Sequence, residues 1–264
     1  MSENTKHTNA SNLGLLTVIG AGPGDPDLIT LKAIKALQAA DVVLYDALVN
    51  PELLGYAEHA ELIFVGKRKG CYAYQQEQIN ELIVQRGQSQ HVVRLKGGDP
   101  FIFGRGAEEM EYAATHGLNV AMVPGISSSV AVPASQNIPV TKRGAAESFW
   151  VITGTTKEHK LSSDVALAAK SNATVVILMG MSKLPAIVAL FEEEGKADTP
   201  IAIIQNGTRE DEKIGIGTIS TIQLEVDKQQ LANPAIIIIG EVVNHRKALS
   251  SAIESYKQVS EVHH

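Results

Sequence analysis

Short apolar runs alternate along this chain with stretches in which leucine, isoleucine and alanine recur every three or four positions. That alternation predicts strands followed by helices, the signature of α/β units. Leu15 to Ile19 is the first strand, and it runs into Gly20-Ala21-Gly22-Pro23-Gly24-Asp25-Pro26. From Leu28 to Ala40 the residues Leu28, Leu31, Ile34 and Leu37 recur among alanines, which predicts a helix packing on a sheet. Further strands follow at Val42 to Tyr45, Leu62 to Val65, Val92 to Leu95 and Asn119 to Val123, with helical patterns at Gln75 to Arg86 and Arg105 to His116. The βα order predicts a parallel sheet.

The most distinctive polar residues stand just after these strands. In a parallel sheet such strand ends share one edge, so Pro23, Asp46, Lys67, Asp99 and Ser127 are expected to line a cleft. The densest stretch is Arg94-Leu-Lys-Gly-Gly-Asp-Pro-Phe-Ile-Phe-Gly-Arg-Gly106, with a strand-to-helix loop over 96–104. Gly97 and Gly98 remove Cβ atoms from the path of a ligand, Asp99 offers an acceptor, and Pro100 stiffens the exit.

Periodicity is lost near Ile138-Pro139-Val140-Thr141-Lys142-Arg143-Gly144, which reads as a boundary. Beyond it, Ser148 to Thr153, Thr174 to Met179, Ile201 to Gln205, Lys213 to Ile219 and Ala235 to Ile239 read as strands, with a clear helix at Lys183 to Glu194. The expected fold is α/β with two domains, a parallel-sheet N-terminal domain and a mixed-sheet C-terminal domain, and an active site in the cleft between them. The expected limits are a disordered lead over 1–13, domains at 14–137 and 148–250 joined by a linker at 138–147, and a tail at 251–264. Met179-Gly180-Met181, Asn206-Gly207-Thr208 and Asn233-Pro234-Ala235 are the candidate ligand loops of the second half.

Composition narrows the chemistry. Hydrophobic residues make up 44% and charged residues 20%, with no apolar run long enough to span a membrane. The polar first dozen residues carry no signal-peptide core, so a cytoplasmic protein is expected. One cysteine, Cys71, excludes an internal disulfide and a thiolate metal site. A net charge of −6 argues against nucleic acid. Basic residues nevertheless cluster at Lys67-Arg68-Lys69, at Lys142-Arg143, and at Arg94, Lys96 and Arg105, which suits a small polyanionic substrate. The histidines lack zinc spacing, so no metal is expected, and neither a G-x-S-x-G elbow nor a G-x-x-x-x-G-K-[ST] loop is present. The first glycine cluster also fails as a dinucleotide fingerprint, because Asp25 stands where the last glycine belongs and Pro23 removes a donor.

Seven ordered blocks resemble one family: the Gly20 to Pro26 cluster, Tyr45-Asp46-Ala47-Leu48-Val49, Val65-Gly66-Lys67-Arg68, Arg94 to Gly106, Pro124-Gly125-Ile126, Ile138 to Thr141, and Asn206-Gly207-Thr208 through Pro234-Ala235. They are similar to the uroporphyrinogen-III C-methyltransferases of the tetrapyrrole methylase superfamily. The resemblance implies transfer of methyl groups from S-adenosylmethionine to C2 and then C7 of uroporphyrinogen III, giving precorrin-2 by way of precorrin-1 for sirohaem or cobalamin synthesis. It implies a homodimer. Pro23, Gly97, Gly98, Asp99, Ile102, Ser127, Ser128, Met179, Gly207 and Ala235 would contact the methyl donor or its product S-adenosylhomocysteine. Asp46 would accept a proton and Lys67 donate one, while Arg68, Arg105, Lys142 and Arg143 would bind the polycarboxylate tetrapyrrole. Where the family commonly has Thr-Ala, His and Tyr, this chain has Ser127-Ser128, Lys142 and Leu178. A later corrin methyltransferase, a nicotinamide oxidoreductase and a non-catalytic tetrapyrrole carrier remain as other readings. The carrier would not need Asp99 or the donor loops.

Overall fold

The structure, a computed structural model, describes residues 14–66 and 74–261. The chain forms two compact units that divide between Ile126 and Ser127. Among the described residues no helix is long and apolar enough to cross a membrane.

The first unit contains, in order, β1 (Leu15–Gly20), α1 (Leu31–Gln38), β2 (Val42–Tyr45), β3 (Glu61–Phe64), α2 (Gln76–Gly87), β4 (His91–Lys96), α3 (Gly106–Thr115) and β5 (Asn119–Val123). Its sheet is wholly parallel, in the order β3-β2-β4-β1-β5. The central strands are covered on both faces, which is why β1 reads as a nearly continuous apolar run and β4 is buried from Val92 to Lys96 rather than on alternate positions. Ile19, Val43, Val93 and Leu95 pack with Ala33 and Leu37 of α1 on one face. Leu16, Val18, Val42, Leu44 and Val92 pack with Ile79 and Ile83 of α2 and Ala113 of α3 on the other. Each fully buried valine, leucine or isoleucine among them contributes about 1.5–3 kcal/mol by leaving water.

One detail of the expected α1 is corrected. Leu31 is 78% exposed and Leu28 belongs to a separate 3-10 turn, Pro26–Leu28. The helix starts only after Thr30, whose hydroxyl accepts the Ala33 N–H at 3.2 Å. Its buried face is therefore set by Ala33 and Leu37, four residues apart, and not by a three-residue repeat.

The second unit comprises α4 (Ser128–Ser135), β6 (Phe149–Thr153), α5 (Asp164–Lys170), β7 (Thr174–Leu178), α6 (Leu184–Glu193), β8 (Pro200–Gln205), β9 (Lys213–Thr218), α7 (Ile222–Gln229), β10 (Ala235–Ile239) and α8 (His245–Glu261). Its sheet, in the order β6-β7-β10-β8-β9, is mixed as the sequence predicts. β6 and β7 run parallel, whereas β10 is antiparallel to both β7 and β8, and β9 to β8.

The division of the chain differs from the expected linker at 138–147. Val132 of α4 and Ile138 are buried in one cluster with Ala202, Ile204, Ile236 and Ile238, so their apolar surface is spent on the second sheet. Residues from Ser127 onward accordingly belong to the second unit.

Candidate functional site

Strand order alone marks one place in the first unit. From β1 the chain continues to β2 on one side, and from β4 it continues to β5 on the other, so neighbouring strands send their following loops apart. Open parallel sheets keep ligands at such switch points, beyond the carboxyl ends of the strands. The loops after β1 and β4 meet there. Gly22 and Gly98 form an isolated antiparallel bridge, the Gly98 N–H donating to the Gly22 carbonyl at 2.7 Å and the Gly22 N–H to the Gly98 carbonyl at 3.2 Å.

The glycines here first serve the protein itself. A Cβ built on Gly20 would lie 2.5 Å from the Gly125 backbone, and one on Gly125 would lie 2.3 Å from the Gly98 carbonyl oxygen. A Cβ on Gly97 would lie 2.6 Å from the Leu48 Cβ. The close approach expected between backbone and ligand is thus first an approach of loop to loop. Asp99 adds a brace: one carboxylate oxygen accepts the Phe101 N–H at 2.8 Å, and the other the Gly125 N–H at 3.1 Å. Phe103 and Arg105 hold left-handed backbone, and Phe101, Ile102 and Phe103 stay exposed on this braced loop. Non-glycine residues held in such conformations cluster at ligand sites. Pro23 is half-buried on the adjoining loop.

Asp46 follows β2 and is 23% exposed at its side chain. One carboxylate oxygen accepts the Leu48 N–H at 3.0 Å, and the other stands 3.6 Å from Nη2 of Arg94. Arg94 belongs to a buried ionic group. Its Nε lies 3.3 Å from Oε1 of Glu109, and the Lys96 Nζ lies 3.1 Å from the same oxygen. Burial, then the neighbouring Arg94 charge, push the Lys96 amine below the ordinary lysine value, with Glu109 and Asp46 pulling the other way. For Glu109, burial works to raise the carboxyl, but Arg94, Lys96 and the hydrogen bonds from Gln76 and Lys96 together hold it below the usual range.

In the second unit the register gathers another set. Leu178 pairs with Ile236 and Gln205 with Ala235, so Met179, Ala235 and the Asn206-Gly207-Thr208 turn share one edge of the sheet. Met179, Asn206 and Thr208 all have left-handed backbone, and Met179 is 49% exposed. For β-branched Thr208 this conformation is a marked outlier. The Met179 carbonyl accepts the Thr155 hydroxyl at 2.9 Å, and the Asn206 N–H donates to the Pro234 carbonyl at 3.0 Å. Gly207 is buried against Val132, whose methyl carbon would lie 2.3 Å from a Cβ there. That contact sets α4 on the turn, with Ser127 as its N-cap and Ser128 in its first turn.

The proposed anion binders are less uniform. Arg105 pairs with Glu108 through Nη2 at 2.6 Å and Nε at 3.0 Å, so its guanidinium is already engaged on its own helix. The Lys142 amine lies 2.8 Å from Nδ1 of His245, and Arg143 is exposed. Lys67, Arg68 and Cys71 lie outside the described residues.

Comparison with known proteins decides the family. The model described as tetrapyrrole (corrin/porphyrin) methylases matches residues 15–223. The chain belongs to that family. A uroporphyrinogen-III C-methyltransferase of Methanocaldococcus jannaschii is 46% identical over 235 residues, which cover 88% of this chain and 97% of that protein. A siroheme synthase of Azotobacter vinelandii is 43% identical over 241 residues, 90% of this chain but 52% of that protein. The crystal structure of a uroporphyrin-III C-methyl transferase from Thermus thermophilus, complexed with S-adenyl homocysteine, superposes with a TM-score of 0.76 at 34% identity, covering 88% of this chain and 99% of that one.

Within this tetrapyrrole methylase, the residue that sequence reasoning missed is Glu109. Its position in a run of Glu and Ala reads as a solvated helix face. The signal was available on β4, because Arg94 and Lys96 stand two apart on an otherwise apolar strand and so share a face. Two buried cations on one face demand a buried acid.

Proposed function

We propose that this tetrapyrrole methylase is an S-adenosylmethionine-dependent C-methyltransferase acting on uroporphyrinogen III. The finer reading is methylation at C2 and then C7, giving precorrin-1 and then precorrin-2 for sirohaem or cobalamin synthesis, by a cytoplasmic homodimer. The observation that carries it is the braced Gly97-Gly98-Asp99 loop at the switch point of the first sheet, beside Asp46, in a chain of this family.

The residues suit the donor's chemistry. Exposed Ile102 and Met179 offer apolar surface for an adenine ring, Asp99 keeps lone pairs for a ribose diol, and Ser127 and Ser128 offer hydroxyls. Pro23, Gly97, Gly98, Gly207 and Ala235 complete the assigned donor contacts. When bound, S-adenosylmethionine supplies an activated methyl group, whose sulfur–carbon bond breaks as the new carbon–carbon bond forms. The protein's task is then mainly to position the partners, an effect worth up to roughly 7–11 kcal/mol. Asp46 is assigned to take the proton that the methylated pyrrole must lose, a role worth about 10² to 10⁴ in rate. Lys67 is assigned as proton donor. Arg68, Arg105, Lys142 and Arg143 are assigned to the substrate's carboxylates.

A thermal-shift measurement tests the donor assignment. S-adenosylhomocysteine is expected to raise the melting temperature in a concentration-dependent way, and NAD to leave it unchanged. Stabilisation by NAD alone would replace this reading with an oxidoreductase.

A further inference from the structure

Glu109 is fully buried at 0% exposure, and the partners of its carboxylate, Gln76, Arg94 and Lys96, stand on α2 and β4 rather than on the loops assigned to the donor. Its Oε1 takes three donors: Gln76 Nε2 from α2 at 3.1 Å, Arg94 Nε at 3.3 Å and Lys96 Nζ at 3.1 Å. Among the described residues, its Oε2 is buried with no hydrogen-bond partner. A buried ionic group with an orphaned oxygen is a poor device for stability, since apolar side chains of similar volume often do as well or better. Its geometry points to another purpose.

Arg94 is held on three sides. Glu109 takes Nε, the carbonyls of Leu44 and Leu95 take Nη1 at 3.2 and 2.9 Å, and Nη2 is left turned toward Asp46 at 3.6 Å. A guanidinium is planar, so fixing Nε and Nη1 also fixes the direction of Nη2. Leu44 lies in β2, two residues before Asp46, and the Leu48 N–H holds the other Asp46 oxygen. The Asp46 carboxylate therefore has one oxygen set by its own turn and the other by a cation whose orientation is set by Glu109 together with the Leu44 and Leu95 carbonyls.

We propose that Glu109 is a positioning residue for methyl transfer: acting through Arg94, it fixes the orientation of the Asp46 carboxylate. This rests on Asp46 being the proton acceptor assigned above. Lys96 is the second cation that Glu109 must neutralise so that Arg94 can face Asp46 without being repelled from its place. The competing account is that the group merely fills space between β4 and α3.

The test compares Glu109→Gln, Asp46→Asn and the double variant by single-turnover rate, KM and affinity for S-adenosylhomocysteine. Glu109→Gln keeps the shape and removes the charge, and is expected to lower the turnover rate about tenfold to a hundredfold. KM and S-adenosylhomocysteine affinity should stay within about twofold of wild type. In the Asp46→Asn background the residual rate should not fall further, because the carboxylate being oriented is gone. A wild-type rate for Glu109→Gln, or an equal fall in both backgrounds, would overturn the proposal while leaving the Asp46 assignment intact. A wild-type rate for Asp46→Asn would overturn that assignment first, and this proposal with it. Should Glu109→Gln fail to fold, Gln76→Ala, which loosens Glu109 from α2 without removing its charge, is expected to lower the rate severalfold at unchanged KM; an unchanged rate would count against the proposal.

Discussion

Asp99 and Gly125 are joined by a hydrogen bond of 3.1 Å that ties the loop after β4 to the loop after β5, while the same carboxylate caps its own turn at Phe101. Asp99 is thus engaged before any ligand arrives. Asp99→Ala should weaken S-adenosylhomocysteine binding about tenfold to a hundredfold and also destabilise the fold by about 1–3 kcal/mol, because the Gly125 N–H loses its partner. Calorimetry and denaturant unfolding measure the two effects. Loss of affinity at full stability would show that the brace is dispensable, and loss of stability alone would deny Asp99 a part in donor binding.

The glycines of the same edge allow a separation of fold from ligand. Gly98 has φ +66°, a conformation in which a β-branched residue is strained by about 1–3 kcal/mol, so Gly98→Val should lower the melting temperature even without ligand. Gly125→Ala should do so too, since its Cβ would lie 2.3 Å from the Gly98 carbonyl oxygen. Variants with wild-type melting temperatures would show that the loops part more readily than their packing implies.

How much of this was legible in the sequence depended on what each residue answers to. The central strands of both sheets were the most legible, because they are buried on both faces and read as short, mostly apolar runs. Leu31 misled because it stands at the first position of α1, before the helix turns its face to the core. α4 was not legible at all, since Pro133 inside it reads as a breaker and its buried side chains, Val132 among them, are few. That omission moved the domain boundary, because α4 packs on the second sheet. Asp46 and Asp99 could be picked out by their places after strands. Their partners Arg94 and Gly125 could not, because pairing across loops is set by the sheet order β2-β4-β1-β5, which local pattern does not encode.

Acid should expose the buried ionic group. The Glu109 carboxyl is held below its ordinary value of 4.5 in the folded chain, so its contribution to stability is present above that pH and is lost as the pH falls through the folded value. Lys96 acts in the same direction but in a more alkaline window. Its amine is held below 10.5, so the unfolded chain binds more protons just under that value and stability rises with pH there. Urea unfolding as a function of pH should show wild type losing stability below about pH 4.5 more steeply than Glu109→Gln. Parallel curves would mean that Glu109 does not change its protonation on unfolding in that range.

Lys142 and Arg143 are assigned to the tetrapyrrole, and the Lys142 amine lies 2.8 Å from Nδ1 of His245. Replacing both residues by alanine should raise KM for uroporphyrinogen III at low ionic strength, with an effect that shrinks as salt is added, while S-adenosylhomocysteine affinity stays near wild type. A wild-type KM at low salt would move the anion clamp elsewhere.

The central claim concerns what is methylated and how often. Purified protein incubated with methyl-labelled S-adenosylmethionine and uroporphyrinogen III should yield a product whose mass has risen by two labelled methyl groups, with a singly methylated species appearing first and then consumed. A tetrapyrrole recovered with no added methyl group, under conditions where S-adenosylhomocysteine binds the protein, would contradict the account.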